Sequence, residues 1–135
     1  MDKMKWSAEY SVGVAKIDEQ HQELFDRLND LQESLIKGWN QEKIREIFDL
    51  LEEHTLTHFA EEEKLMALFN YPDQDSHVLQ HKDLIEELEY LKKQWDRGVL
   101  KITPDTAAYI QNWLNLHVEG PDQKLGKFLR SHGVV

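Results

Sequence analysis

Four stretches of this chain place apolar side chains at steps of three and four residues, and Gly38, Pro72, Gly98 and Pro104 fall at the breaks between those stretches. That spacing is the period of an amphipathic helix, so each stretch can bury one stripe only by facing others of its kind. The first runs through Leu24, Phe25, Leu28, Leu31 and Leu35, with Asp18 as an expected cap and Gly38 as its end. The second, capped by Asn40, carries Ile44, Ile47, Phe48, Leu51, Thr55, Leu65, Met66 and Phe69 up to Tyr71-Pro72. The third carries Leu84, Ile85, Leu88, Leu91 and Trp95 before Gly98; the fourth opens on Thr103-Pro104 and buries Ala107, Ile110, Trp113 and Leu114.

The breaks at Gly38, Pro72 and Gly98 are short, which makes neighbouring helices antiparallel. The expected fold is therefore an all-α, up-down-up-down four-helix bundle. A non-periodic N-terminal arm with Trp6, Tyr10 and residues 12–14 precedes it, and a short helix over residues 125–135 caps it. At 135 residues the chain is sized for one domain, here residues 1–135.

Composition removes several classes of function. Asp and Glu number 26 against 16 Lys and Arg, a formal charge of -10, so the surface repels nucleic acid and anionic membranes. No stretch is apolar for long enough to span a bilayer, and the charged residues 1–5 lead into no apolar signal core. The expectation is a cytoplasmic protein that is not membrane-embedded. There is no cysteine, so disulfides and thiolate metal sites are excluded and any metal has to be held by His, Asp or Glu.

Seven histidines are present, and five lie on or beside an apolar stripe, where an unpaired imidazole is costly. His58 and Glu62 are four residues apart on the second helix, as are His77 and His81 on the third, so each pair can aim at one point. His21 precedes Gly38 by 17 residues and His58 follows Asn40 by 18, which places both about 26 Å from the turn that joins the first two helices. The same counting brings Glu62, His81 and His117 to that layer. Asp122 is five residues beyond His117, roughly 140° around a regular helix, so the helix has to be distorted there. Pro121, which cannot donate to the His117 carbonyl, supplies the means, and a kink or π-bulge in the fourth helix is expected.

Five imidazoles and two carboxylates exceed what one ordinary ion takes. With both carboxylates bridging, they fill nine of the twelve positions of two octahedral ions; a bridging solvent oxygen fills two more and leaves one open. His54 is expected to pack near the layer without ligating, Glu61 and Glu63 to be solvated, and His132 to be exposed.

The stretches WSAEYSVGVAKIDEQHQELF, HTLTHFAEEEKLM, YPDQDSHVLQHKDL and WLNLHVEGPD, in this order, resemble the hemerythrin family over nearly the whole chain. The resemblance implies two iron ions with a bridging oxo or hydroxo group. It assigns His77, His81 and His117 to one ion, His21 and His58 to the other, and Glu62 and Asp122 as bridges. It implies that dioxygen binds reversibly at the open position beside His21 and His58. Leu24, Phe59, Trp113, Leu114 and Val118 flank these ligands in sequence and are expected to form an oxygen pocket of hydrocarbon. A carrier rather than an enzyme is expected, for storage, transport or delivery of oxygen to an oxygen-consuming enzyme. The alternatives are a di-iron oxidase or peroxidase, an oxygen sensor, or an iron buffer.

Overall fold

In a computed structural model, which describes residues 5–135, helices α1 (Ala15–Ile36), α2 (Gln41–Leu68), α3 (Gln74–Asp96) and α4 (Pro104–Glu119) form the antiparallel bundle, followed by α5 (Pro121–Ser131). Residues 1–4 of the charged N-terminal stretch lie outside the described residues. No helix among the described residues is long and apolar enough to cross a membrane.

Helix boundaries follow local chemistry. Asn40 accepts a 2.8 Å hydrogen bond from the Lys43 N–H, and Thr103 forms a reciprocal capping box with Thr106 ahead of Pro104. Gly38 at φ +67° and Gly98 at φ +71° take the left-handed turn that stops α1 and α3. Asp18 has a different role from the expected cap. The arm is extended at Val14 and α1 begins at Ala15, so Asp18 lies within the first turn and accepts from the Val12 N–H at 2.8 Å and the Ser11 hydroxyl at 2.5 Å. It pins the arm to α1.

The fourth helix is neither continuous nor bulged. It ends at Glu119, the chain turns at Gly120 (φ -108°, ψ -90°), and Pro121 starts α5 at the position where its missing N–H costs nothing. Asp122 therefore belongs to a separate helix, and the capping helix begins four residues earlier than the sequence pattern indicated. A ladder already lacking one donor gains more from a full break, because the break lets α5 lie across the bundle end and bury Leu125 and Leu129.

Two apolar clusters result. The larger runs through Leu24, Phe25, Phe48, Phe59, Leu88 and Leu114; the smaller joins Val12, Val14 and Ile17 to Met66, Tyr71, Leu125 and Leu129. Helices α1 and α2 cross from one to the other. On α1, Ile17 and Leu24 belong to different clusters with His21 between them; on α2, Phe59 and Met66 do, with Glu62 between them. A polar layer is thus closed above and below by hydrocarbon.

Candidate metal centre

The layer contains the seven side chains that the sequence pointed to. His21, His58, Glu62, His77, His81, His117 and Asp122 are each no more than 3% exposed. They come from five helices, because the α4–α5 break delivers Asp122 separately from His117.

The two carboxylates divide their oxygens between two groups of rings. Glu62 Oε1 lies 3.0 Å from His81 Nε2 and 3.4 Å from His77 Nε2, whereas Oε2 lies 3.2 Å from His58 Nε2 and 3.7 Å from His21 Nε2. Asp122 repeats the division: Oδ1 is 3.0 Å from His77 Nε2 and 3.1 Å from His117 Nε2, and Oδ2 is 3.0 Å from His21 Nε2. Three imidazoles thus converge on one side and two on the other. Glu62 and Asp122 belong to both groups of potential ligand atoms.

All five rings present Nε2 inward. The Nε2 atoms of His21, His58 and His77 and all four carboxylate oxygens of Glu62 and Asp122 are buried without a hydrogen-bond partner. Leaving so many polar atoms unpaired is costly unless something with positive charge accepts their lone pairs. Divalent cations do so, and a donor set of imidazole and carboxylate suits iron. The residues fit a pair of metal ions.

Around them lies a ring of groups that orient the imidazoles. His58 Nδ1 is 2.7 Å from Gln20 Oε1, His81 Nδ1 is 3.2 Å from Glu63 Oε2, and His117 Nδ1 is 3.1 Å from Gln80 Oε1. Such partners fix the tautomer that leaves Nε2 free as a donor to metal. Glu63, expected to be merely solvated, is one of them. His54, in turn, does not face the layer: its side chain is 30% exposed and its Nδ1 sits 3.4 Å from Glu23 at the edge of α1 and α2. His132 is exposed and packs on Phe128.

Electrostatics follows from this crowding in the metal-free chain. Burial alone would push His21 and His77 down, but Asp122 and Glu62 outweigh it and raise both to about 9. Burial by itself would push the carboxyls up, and Asp122 also feels the charge of Glu62. The imidazoles win, holding Glu62 through His58, His21 and His77, and Asp122 through His117 and His21, well below the usual carboxylate range. Without metal, protons on His21 and His77 offset the carboxylate charge.

Of the five apolar residues expected near the ligands, Leu24, Phe59, Leu114 and Val118 are buried in the larger cluster, and half-buried Trp113 packs against it. Phe59 stacks face to face on His81 at 3.8 Å, and Trp113 stacks on His117 at 4.6 Å. Both rings therefore border the three-imidazole side, with Phe59 also 6.0 Å from His58.

The chain is similar to known proteins over most of its length. Residues 12–129 match the profile of the hemerythrin HHE cation binding domain. A bacteriohemerythrin of Methylococcus capsulatus is 30% identical over 93% of this chain and 96% of its own length. A myohemerythrin of Theromyzon tessulatum is 29% identical over 89% of this chain and 88% of its own. The crystal structure of a wild-type hemerythrin superposes with a TM-score of 0.89 at 29% identity, covering 93% of this chain and 97% of the other. With the profile spanning most of the sequence and the structure agreeing, the chain belongs to the hemerythrin family.

Proposed function

We propose that this protein binds dioxygen reversibly at a non-haem di-iron centre in which His77, His81 and His117 hold one iron, His21 and His58 the other, and Glu62 and Asp122 bridge. The observation that supports this assignment best is the division of each carboxylate between a three-ring and a two-ring group. The two-ring side has one protein donor fewer, which leaves room there for an exogenous ligand. The irons, with a bridging oxo or hydroxo group, supply the two electrons that dioxygen needs in order to bind. Everything else is the work of the chain: Gln20, Glu63 and Gln80 hold the rings, Leu24, Phe59, Leu114 and Val118 exclude water and acids from the pocket, and Trp113 covers the three-imidazole side against His117.

Carriage rather than oxidation is favoured by the ligand set. Among the described residues only two carboxylates, Glu62 and Asp122, share the layer with five imidazoles. Carboxylate-bridged oxidases hold their irons with four carboxylates and paired Glu-x-x-His motifs. The protein stores oxygen or delivers it to an oxygen-consuming enzyme in the cytoplasm, a compartment that its cysteine-free composition suits. Iron analysis after anaerobic loading, followed by visible spectra on cycling between air and argon, tests the reading. Two irons per chain with a reversible spectral change are expected. One iron per chain, or stoichiometric release of peroxide, would overturn it.

A further inference from the structure

The seven ligands are sealed from solvent, yet a cation has to reach them. A cavity of about 290 Å³ lies at the seam between the start of α3 and the α4–α5 junction, lined by Asp73, Ser76, His77, Gln80 and Lys124 among others. His77 is the link: it is 3% exposed, lines this cavity, and carries its unpartnered Nε2 in the metal layer. Asp73 precedes His77 by four residues, and Ser76 precedes Gln80 by four, so their side chains follow one another along the α3 face that borders the cavity.

Across the mouth, Lys124 of α5 forms an ion pair with Asp73. Both side chains are substantially exposed, at 68% and 46%, so the pair is screened by solvent and readily exchanged. While it stands, it cancels the one carboxylate at the entrance and ties α5, which carries Asp122, to the start of α3. When Lys124 swings out, a carboxylate and a hydroxyl are left at the surface with a buried imidazole behind them. Hard oxygen donors followed by imidazole are what a hydrated ferrous ion requires to shed its water stepwise. Apolar dioxygen gains nothing from such a lining.

We propose that this cavity is the cation entry site of the protein: Asp73 and Ser76 take a hydrated divalent cation from solution and pass it to His77, with Lys124 as the latch. The proposal rests on the di-metal reading above, and it concerns rate where that reading concerns stoichiometry. The test is anaerobic stopped-flow uptake of Fe(II) by the metal-free protein, paired with the rate of iron removal by a chelator. Asp73→Asn should slow uptake about tenfold and Lys124→Ala should speed both uptake and removal by a similar factor, since one charge at an entrance changes cation on-rates on that scale. Both variants should still end at two irons per chain.

Lys127→Ala supplies the control, because it makes the same change of net charge on α5 without touching Asp73. Equal acceleration by Lys127→Ala and Lys124→Ala, or uptake unchanged by both Asp73→Asn and Lys124→Ala, overturns the entry site. A wild-type end point other than two irons overturns the di-metal reading instead, and the rates remain readable. Circular dichroism of each metal-free variant separates slow uptake from failed folding.

Discussion

Gly126 lies against Val12 so closely that a Cβ on it would fall 2.3 Å from the Val12 carbonyl oxygen and 2.7 Å from the Val12 Cβ. The obstacle is backbone, pinned in turn by Asp18, so it cannot swing aside. The arm and α5 meet at contact distance there, and Gln123 reinforces the meeting by donating to the Ser11 carbonyl at 3.0 Å. Asp122 is one turn before Gly126 on the same helix.

Gly126→Ala should therefore move α5 off the arm and carry Asp122 out of register with His21, His77 and His117. Overpacking of this kind costs about 1–3 kcal/mol. Urea unfolding of the metal-free protein should show that loss, and the loaded protein should retain its second iron poorly. A variant that binds two irons as tightly as the parent would show that α5 is placed by something other than this contact.

Glu62 touches four of the five imidazoles and is fully buried. Glu62→Gln keeps the shape and one oxygen, but an amide cannot serve both sides as an anionic bridge. Iron content after anaerobic loading should fall from two per chain towards one. The removed carboxylate also contributes to the raised His21 and His77, so NMR titration of the metal-free variant should find both closer to the ordinary imidazole range.

The bundle and the ligand set were legible in the sequence because both depend on helical period. Apolar steps of three and four reported which faces are buried, and the spacing of His58 to Glu62 and of His77 to His81 reported convergence. Asp122 was legible only as a violation of that period, which announced a distortion without saying that α4 would end and α5 begin. Glu63 and Gln20 were not read as partners of the imidazoles. Each lies next to a buried position and reaches a ring on another helix, so only the rotation of one helix against its neighbour decides whether they touch. Gly126 was opaque for a similar reason: its close approach is to Val12, more than a hundred residues away, and no local pattern records it.

Glu63 and Gln20 allow a comparison of outer partners. Glu63 is a carboxylate on the Nδ1 of His81, and Gln20 an amide on the Nδ1 of His58. Loss of such a partner typically lowers metal affinity about 10–100-fold. Glu63→Ala should do so at the three-imidazole iron and Gln20→Ala at the two-imidazole iron. Chelator competition on the loaded variants, followed by the stoichiometry of the first iron lost, would distinguish the two. Loss of the same iron first from both variants would contradict the assignment of rings to ions.

Leu24 fills the first turn beyond His21 and is 1% exposed, within the larger apolar cluster. Leu24→Ala should cost about 2–5 kcal/mol in stability through the cavity it leaves. The opened space also admits water beside the two-imidazole side, so the oxygenated spectrum should decay to the oxidised form faster than in the parent. An unchanged decay in a folded variant would mean that Leu24 does not shield the ligand pocket.

The metal-free protein should lose stability at both ends of the pH range, and the shifted groups set the window. His21 and His77 are raised from 6.5 to about 9 when folded. Folding is thus favoured by their charge fully below about pH 6.5, and the benefit drains away as pH climbs through 9. Glu62 and Asp122 are shifted the other way, so their contribution is present above the ordinary carboxylate range and lost as pH falls through it. Maximum stability of the metal-free chain should lie between about pH 5 and 6.5. Metal reverses the upper limb, because imidazoles that ligate through Nε2 must be unprotonated and a bound cation takes over the role of the protons. Urea midpoints measured from pH 4 to 9.5 should therefore fall above neutrality without iron and hold steady with it. Parallel curves for the two forms would show that the layer is not where the metal binds.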